Sequence, residues 1–388
     1  MKGGIMFYYC KHYTSLSMNI AIWGAGKFGK FVIQQFINRA NIVVKCIIDK
    51  RANELKEVLG IPVVTPEKFK SSFTEDVEIV LAAFINSIQY IKEMKSQEIR
   101  KLGFVSDLAY KRGVILSDNI LEERLIIWDD NINERLPFLT TLETNVVDYC
   151  NLNCKGCSHF SNIFPKGSKV PFEIFKRDIQ RLSQEINIIQ FNLLGGEVLL
   201  CDNLEDYIQC LIEYMPATKI QLVTNGILIP KQSSERMKFL AKNNVMVSIT
   251  EYPPTSRIKE KNTEILDNYG IYFGMRPLVS KFGKNVDISG ENDPWLAQRI
   301  CRESSCHFLR EGKVYKCPFS ALGNYFFNYY QIPLHFDEGI DIYNIENNWE
   351  EIIDNLGGNP IEQCKFCGVE EQFPWEISVK PKKEEWLI

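Results

Sequence analysis

Three cysteines stand close together near the middle of the chain, Cys150, Cys154 and Cys157, at C-x3-C-x2-C spacing. They follow an apolar, β-branched run over residues 139–147, which predicts a buried strand with the cysteines on the loop at its carboxyl end. Three thiolates on one loop can bind three irons of a [4Fe–4S] cluster and leave the fourth iron open to a ligand that is not protein. Zinc is the alternative, but structural zinc usually takes four ligands from paired C-x2-C units. The spacing therefore favours an iron–sulfur cluster with one open iron.

A second group of five cysteines lies in the last quarter of the chain: Cys301, Cys306, Cys317, Cys364 and Cys367. Glu311-Gly312-Lys313 predicts a hairpin turn that would bring Cys306 and Cys317 together. With the C-x2-C pair of Cys364 and Cys367, these four thiols fit a second [4Fe–4S] cluster or a zinc site equally well on spacing alone. Five cysteines for four places leave either Cys301 or Cys306 spare.

Predicted strands and helices alternate through the middle of the chain. Apolar residues recur at helical spacing over residues 175–186, 204–212 and 233–243, and predicted strands lie at 188–194, 219–224, 245–250 and 271–279. This α/β alternation implies a parallel sheet, and the expected closure is a partial α/β barrel with its active site at the carboxyl ends of the strands.

Polar residues follow several of these strands. Gly195-Gly196-Glu197 comes directly after the strand at 188–194. The double glycine would let a ligand approach the backbone, and the carboxylate could hold an ammonium group. Further candidates for contacts with a ligand are Glu143, Asn145, Asn225, Ser248, Thr250 and Arg276. Each of these single polar residues is equally consistent with a cap or a turn.

The cysteine loop resembles that of the radical S-adenosylmethionine (SAM) superfamily. The resemblance implies that Cys150, Cys154 and Cys157 bind the cluster and that the amino and carboxylate groups of SAM chelate the fourth iron. Electron transfer into the sulfonium would then release a 5′-deoxyadenosyl radical. Gly156 stands where the family often has an aromatic residue packed near the adenine.

The resemblance extends to the glycine-rich turn. It implies that residues 195–197 bind the amino group of SAM and that the strand ends at Asn225 and Ser248 line the SAM site. Val198 stands where the family motif has a proline. The fold implied is a partial (β/α)6 barrel.

The second cysteine group resembles the twitch module, a shortened SPASM-like auxiliary iron–sulfur domain that follows the barrel in some radical SAM enzymes. The resemblance implies that Cys306, Cys317, Cys364 and Cys367 hold a second [4Fe–4S] cluster, with Cys301 as an alternative ligand. Radical enzymes that invert a stereocentre need a hydrogen-atom donor, often a free thiol. Cys301 and Cys201 are candidates for that role, and the alternative for both is an inert buried thiol.

The N-terminal part has the order strand, glycine turn, helix, strand, at residues 19–23, 24–29, 30–39 and 42–48. Gly24, Gly26 and Gly29 form a G-x-G-x-x-G fingerprint, and Asp49 is placed to accept a hydrogen bond from a ribose hydroxyl. This predicts a Rossmann-like module that binds NAD(P) or a nucleotide sugar. The module resembles small dinucleotide-fold modules beside sugar-modifying enzymes of bacterial surface-polysaccharide pathways. The alternative is an empty pocket in a module that docks a partner.

Composition limits the class of protein. The 388 residues are enough for two or three domains, and 45% hydrophobic with 24% charged residues is ordinary for a globular protein. A net charge of −4 without long blocks of like charge argues against a general nucleic-acid or membrane-surface binder. The sequence contains no bilayer-spanning run and no signal peptide, which predicts a cytoplasmic protein. Its 12 cysteines should then be reduced thiols, some of them metal ligands.

Together these patterns predict a Rossmann-like module at residues 18–115, a radical SAM partial barrel at 138–290 and a twitch-like domain at 291–388. The predicted activity is hydrogen abstraction from a sugar or nucleotide sugar, by dehydrogenation or epimerisation, with flavodoxin or ferredoxin as reductant. Peptide modification by the same radical chemistry and a non-catalytic iron–sulfur or zinc scaffold are the alternatives.

Overall fold

The computed structural model describes residues 18–37, 42–72, 77–82, 102–104, 126–128, 136–276 and 278–388. The chain divides into two compact units, Met1–Arg135 and Leu136–Ile388. The division falls within the stretch between the predicted N-terminal module and the predicted barrel. No helix in the described ranges is long and apolar enough to cross a bilayer.

The described residues of the first unit form seven strands and two helices: β1 (Met18–Trp23), α1 (Lys27–Phe36), β2 (Ile42–Ile48), β3 (Glu57–Val58), β4 (Ile61–Val64), α2 (Pro66–Ser72), β5 (Glu78–Leu81), β6 (Leu102–Phe104) and β7 (Ile126–Trp128).

The strands of the first unit lie in the order β3-β4-β2-β1-β5-β6-β7. β1 lies between β2 and β5 and runs parallel to both. The chain therefore builds the sheet outward from β1 in two directions, and such a reversal point is where open α/β sheets bind ligands. The helix α1 buries Val32, Ile33 and Phe36 in a core shared with β1 and β2. The Rossmann-like module at 18–115 stays a prediction, and the helix predicted near residues 87–101 lies outside the described residues.

The second unit contains ten strands and eight α-helices in its described residues: β8 (Phe138–Val147), α3 (Phe172–Leu182), β9 (Asn187–Gly195), α4 (Leu204–Tyr214), β10 (Lys219–Thr224), α5 (Ser234–Lys242), β11 (Met246–Thr250), α6 (Pro253–Ser256), α7 (Lys259–Tyr269), β12 (Phe273–Arg276), β13 (Lys281–Val286), α8 (Pro294–Ile300), β14 (Phe308–Arg310), β15 (Lys313–Tyr315), α9 (Pro318–Tyr329), β16 (Ile340–Asp341), α10 (Trp349–Gly358) and β17 (Cys367–Pro374). Short 3-10 turns occur at Val198–Leu200, Ile229–Lys231, Glu362–Phe366 and Lys383–Glu385.

Eight of these strands form one sheet in the order β12-β11-β10-β9-β8-β14-β15-β16. The strands from β8 to β12 are parallel neighbours, and β14 is parallel to β8. The sixth parallel strand therefore joins the sheet beside the first one, and it lies beyond the predicted barrel boundary at residue 290. β14, β15 and β16 extend the barrel sheet, whereas β17 pairs antiparallel with β13 in a separate two-stranded sheet. The domain boundary at residue 290 stays a prediction.

The faces of the parallel strands differ in character because successive side chains of a strand point to opposite sides. One set packs against the helices in a large apolar core that includes Leu142, Phe191, Leu222 and Ile249. The alternate residues face the opposite side and are largely polar: Glu143, Asn145, Gln190, Asn192, Gln221, Ser248, Thr250 and Arg276. The sequence predicted a parallel α/β sheet, and this architecture is confirmed.

The last predicted strand, 271–279, is shorter than expected. Gly270 has φ of +67°, and the backbone N–H groups of Gly270 and Ile271 donate to the carbonyl of Leu266. Ile271 thus closes the end of α7 through a left-handed glycine cap, and β12 begins only at Phe273.

Candidate functional site

The three-cysteine loop begins directly after β8. Asn153 and Gly156 adopt left-handed backbone conformations, with φ of +52° and +66°. A Cβ at position 156 would lie 2.8 Å from the Phe373 ring and 2.9 Å from the Glu385 carbonyl oxygen. Glycine is therefore required by both φ and space, and Phe373 occupies the volume that a side chain at 156 would need.

N–H groups point at two of the three sulfurs. The backbone N–H of Leu152 donates to Cys150 Sγ at 3.5 Å, and the Trp375 indole N–H donates to Cys154 Sγ at 3.2 Å. Asn225 Nδ2 lies 3.7 Å from Cys150 Sγ. Such donors stabilise thiolate sulfur and are common around metal-bound cysteines.

The chemistry of the donor set fits a metal cluster. Burial raises the pKa of the Cys150 thiol to about 12, and that of Cys154 is raised further, also by burial first. The neighbouring thiolates add to both shifts, since negative charges on one loop repel each other. Bound iron would lower the pKa values of these thiols, because a thiol that coordinates a metal ion loses its proton. Within the described ranges, no three Cys, His, Asp or Glu side chains form a preformed metal-binding group.

The glycine pair after β9 packs against the cysteine loop itself. A Cβ on Gly195 would lie 2.0 Å from the Val147 carbonyl oxygen, and one on Gly196 would lie 2.1 Å from the Tyr149 carbonyl oxygen. The N–H of Gly196 also donates to Val147 O at 3.0 Å. The glycines were expected to let a ligand approach, but on this side they admit the backbone of the cysteine loop.

Glu197 is fully buried and ties two strand ends together. Its carboxylate accepts hydrogen bonds from the Thr224 hydroxyl, the Asn225 N–H at 2.9 Å and the Leu199 N–H at 3.0 Å. Burial raises its pKa, although these donors act in the opposite direction. The carboxylate predicted to hold the SAM ammonium group is thus already bonded to the ends of β9 and β10, and its SAM contact stays a prediction.

Asn225 links this network to the cysteine loop. Its side-chain N–H donates to Asn151 Oδ1 at 2.7 Å, while its Oδ1 accepts from the Ile227 N–H at 3.0 Å. Ser248, the other residue predicted to line the SAM site, is buried beside Val223 on the next strand. Asn225 therefore contacts the cysteine loop directly, and the SAM contacts of both residues stay predictions.

Asn145 has a structural role that differs from the predicted ligand contact. It is buried, donates to Asp148 Oδ1 at 3.2 Å, and its Oδ1 lies 3.1 Å from His159 Nδ1. Asp148 also accepts two bonds from Arg310, at 2.9 and 3.2 Å. Burial lowers the pKa of His159 to about 4, so the ring is neutral near pH 7.

Glu143 lies on the polar face, where Asn192 Nδ2 donates to its carboxylate at 3.1 Å. Burial raises its pKa, and the nearby Glu303 carboxylate adds to the shift, while the Arg276 guanidinium and a hydrogen bond with Cys306 lower it. This candidate position is therefore a buried carboxyl group beside a thiol and a cation.

The C-terminal cysteines influence one another electrostatically. Burial raises the pKa of Cys301 to about 12 and that of Cys317 to about 11. The charges of Cys317 and Cys364 further raise the pKa of Cys301, and Cys317, Cys301 and Cys364 raise that of Cys367. Cys301 is therefore near enough to Cys317, Cys364 and Cys367 for their charges to interact.

Cys306 lies near Glu143. β14 pairs with β8 so that Phe308 lies opposite Glu143, and the Cys306 thiol hydrogen bonds to Glu143. The predicted hairpin turn at Glu311 and Gly312 is present, with φ of +48° and +81°. The assignment of Cys306 as the fourth thiol, with Cys301 as the alternative, stays a prediction.

Cys201 does not face the polar side of the sheet. It is buried in the apolar core with Leu204 and Tyr207, and burial raises its pKa to about 11. This environment fits the alternative of an inert buried thiol, and the hydrogen-donor role of Cys201 stays a prediction.

In the first unit, two of the three glycines of the fingerprint lie too close to other backbone atoms to carry a side chain. A Cβ on Gly24, which has φ of +116°, would lie 2.8 Å from the Ala82 carbonyl, and one on Gly29 would lie 1.9 Å from the Gly24 carbonyl. Gly26 has open space around its Cβ position, which suits the predicted approach of a phosphate.

Asp49 already has partners. Its carboxylate accepts from the Ala25 N–H at 2.9 Å and from the Arg51 guanidinium at 2.9 and 3.0 Å. Partial burial alone would raise its pKa, but these donors lower it to about 2. The expected ribose acceptor is therefore neutralised by an arginine two residues later, and a ribose contact would compete with that ion pair.

Sequence reasoning missed the C-terminal aromatic residues at the cysteine loop. The sequence patterns gave no role to Phe373, Trp375 and Trp386, yet Trp386 Nε1 donates to the Cys157 carbonyl at 2.8 Å. The signal available was an aromatic-rich tail in a chain whose loop has glycine where an aromatic residue often stands.

Comparison with known proteins identifies the domain around this loop. The family model described as the radical SAM superfamily matches residues 144–267, which include all three loop cysteines and the G-G-E turn. Residues 144–267 form a radical SAM domain.

Curated relatives match the radical SAM domain over part of their length. GTP 3′,8-cyclase of Aquifex aeolicus (strain VF5) is 27% identical over 164 residues, which are 40% of this chain and 50% of the relative. GTP 3′,8-cyclase of Sulfurovum sp. (strain NBC37-1) is 26% identical over 117 residues, 29% of this chain and 35% of the relative. The chain thus spans half or less of the length of these relatives.

Solved structures that match part of the chain include BtrN in complex with AdoMet and 2-DOIA, at 17% identity and a TM-score of 0.38, covering 63% of this chain and 96% of that one. They also include anSMEcpe with bound AdoMet, at 22% identity and a TM-score of 0.32, covering 37% and 44%.

Proposed function

We propose that this protein is a radical SAM enzyme in which Cys150, Cys154 and Cys157 hold a [4Fe–4S] cluster. The observation that carries the proposal is the loop: three free thiols at the carboxyl end of a parallel sheet, with N–H donors aimed at two of them, inside a radical SAM domain. When bound, the cluster would supply the electron that cleaves SAM to a 5′-deoxyadenosyl radical. Asn225, which bonds to the loop, and Ser248 on the adjacent strand would contact SAM.

The polar face of the sheet favours a polar substrate. Gln190 donates to Asn192 at 2.7 Å and to Gln221 at 3.3 Å, and Asn192 donates to Glu143, so a chain of amides lines this face. Hydrogen-bonding groups in a fixed array recognise hydroxyl-rich molecules. The GTP named for the curated relatives is itself a sugar-containing nucleotide. We infer a sugar or nucleotide sugar as substrate, in surface-polysaccharide biosynthesis.

The proposed reaction is dehydrogenation or epimerisation at a carbinol carbon. Dehydrogenation needs a group that takes the hydroxyl proton, and Glu143, a buried carboxyl group on the polar face of the sheet whose pKa is raised by burial, would take it. Epimerisation needs a hydrogen-atom donor, and Cys306 beside Glu143 joins Cys301 and Cys201 as a candidate thiol. The thiyl radical left on the donor would regain its hydrogen as an electron from the flavodoxin or ferredoxin and a proton from solvent.

The group of Cys301, Cys317, Cys364 and Cys367 would hold a second [4Fe–4S] cluster, which could accept the second electron of a dehydrogenation. Flavodoxin or ferredoxin would reduce the first cluster. The first unit would bind NAD(P) or a nucleotide sugar at the open position beside Gly26.

The test is SAM cleavage by anaerobically reconstituted protein with dithionite, followed by quantification of 5′-deoxyadenosine. Cys154→Ala should abolish the product. Cys210→Ala is the matched control, because Cys210 is equally buried but lies in the apolar core on α4, and it should leave the product unchanged. Bound iron without any 5′-deoxyadenosine in the unsubstituted protein would refute the proposal and favour a non-catalytic scaffold.

The substrate class has its own test. Perdeuterated nucleotide sugars should transfer deuterium to 5′-deoxyadenosine if a sugar C–H bond is broken. Transfer from a deuterated peptide and from no sugar would instead assign the protein to the peptide-modifying radical enzymes.

A further inference from the structure

The C-terminal segment, residues 373–386, is bonded along the cysteine loop as an added strand. The Lys155 N–H donates to the Glu376 carbonyl at 2.9 Å, and the Ser378 N–H donates to the Asn153 carbonyl at 2.8 Å. Cys154 and Ile377 form an antiparallel bridge between these two bonds. The middle cysteine of the loop is therefore held by backbone pairing with a segment more than 200 residues away in sequence.

Within this segment, the Trp375 indole N–H points at a sulfur atom. Its Nε1 lies 3.2 Å from Cys154 Sγ, which is within the range of an N–H···S hydrogen bond. The other tryptophan of the segment, Trp386, donates to a carbonyl oxygen of the same loop and not to sulfur. Only one of the two indoles thus bears directly on a prospective iron ligand.

The position of Trp375 is fixed on both sides. Its backbone N–H donates to the Ser280 carbonyl at 2.9 Å, where the segment leaves its pairing with β13. Its ring stacks on Tyr252, with centroids 6.0 Å apart and planes inclined by 28°. Tyr252 in turn packs edge-on against Phe282 at 5.8 Å. The indole is therefore oriented by its neighbours and not by the sulfur alone.

Hydrogen bonds to cluster sulfurs are one of the means by which proteins set the potential of an iron–sulfur cluster. A donor stabilises the form in which the sulfur carries more negative charge, which is the reduced form. We propose that Trp375 is a positioning residue that makes the cluster at Cys150, Cys154 and Cys157 easier to reduce through its N–H bond to Cys154. This inference rests on the proposed function, since it requires that the loop hold a cluster.

The experiment compares Trp375→Phe with Trp386→Phe in the full chain, reconstituted anaerobically and titrated with dithionite under EPR. The signal of the loop cluster is identified as the one that changes when SAM is added. Phenylalanine keeps an aromatic ring but removes the N–H together with the second ring, and Trp386→Phe controls for that loss of ring. At a fixed applied potential, the ratio of reduced to oxidised cluster should fall about tenfold in Trp375→Phe, which is 59 mV for a one-electron couple. In Trp386→Phe it should change less than about twofold, because a bond to a carbonyl oxygen does not act on a ligand sulfur. Equal ratios in the two variants would overturn the inference.

A second measurement needs no substitution that could prevent cluster assembly. Protein labelled with ¹⁵N in its indole groups should show a ¹⁵N hyperfine coupling in the reduced loop cluster, and Trp386→Phe should retain it. Absence of any indole coupling in a cluster that binds SAM would overturn the inference and leave the proposed function intact. Failure of the loop to bind iron at all would overturn both.

Discussion

The buried ion pair between Asp148 and Arg310 should be a principal support of the cysteine loop. Arg310 donates to both carboxylate oxygens, at 2.9 and 3.2 Å, and the two side chains are only 1% and 6% exposed, Asp148 being the more buried. Asp148 lies two residues before Cys150, and Arg310 ends β14, so the pair joins the start of the loop to the hairpin.

Asp148→Ala would leave the guanidinium buried without its carboxylate. Breaking a buried pair from one side costs about 3–5 kcal/mol in the free energy of unfolding. For a domain of roughly 250 residues, each kcal/mol shifts Tm by about 2–4 °C. We therefore expect Tm of the second unit to fall by about 6–20 °C. The assay is thermal unfolding of metal-free, reduced protein by circular dichroism.

The matched control removes an exposed pair on the same loop. Lys155 and Glu376 are 3.1 Å apart, with side chains 36% and 57% exposed, so Glu376→Ala should cost under about 1 kcal/mol. Replacing both buried partners, with Asp148→Leu and Arg310→Met together, should recover most of the loss, because no unpaired charge remains. Equal Tm values for Asp148→Ala and Glu376→Ala, or no recovery in the double variant, would refute this reasoning.

Three further predictions concern iron, backbone space and pH. Cys301→Ala should lose about four irons per chain, while Cys306→Ala should keep them; iron analysis after anaerobic reconstitution decides, and the reverse pattern would restore the original ligand set. Gly196→Ala should displace the cysteine loop, because its Cβ would lie 2.1 Å from a loop carbonyl oxygen, whereas Gly26→Ala meets open space; the loop's iron content should fall only in the former. The free energy of unfolding of Glu143→Gln should increasingly exceed that of the unsubstituted protein as the pH rises above the unfolded pKa of about 4.3. Burial raises the pKa of Glu143 in the folded protein, so its charged form opposes folding. A stability difference in urea that is the same at pH 4 and pH 8 would contradict this assignment.

Local patterns in the sequence were sufficient to predict most of the strands and helices of the second unit. The predicted strand at 219–224 has the bounds of β10, and the strand predicted at 139–147 differs from β8 by one residue. Both lie between amphipathic segments whose apolar spacing is a short-range property. The turn at Glu311-Gly312 was equally local, because a two-residue hairpin needs positive φ at both positions.

Contacts distant in sequence could not be predicted in the same way. The placement of β14 beside β8 brings Cys306 to Glu143, and no spacing rule separates Cys306 from Cys301 without that pairing. The sequence placed Gly196 and Glu197 near the cysteine loop but did not predict what they contact. Their immediate partners are the backbone of the cysteine loop and the end of β10.

The sequence by itself determined the chemistry of the loop, because C-x3-C-x2-C at the end of a strand sets ligand type, number and chain separation within eight residues. Only the tertiary structure decided what surrounds those thiols: Trp375 at Cys154, Phe373 over Gly156, and the Arg310 support beneath Asp148. The physical reason is one of range. Cysteine spacing, turn φ values and helical periodicity act between near neighbours in the chain, whereas hydrogen bonds to sulfur and buried ion pairs depend on which distant segments share the same volume.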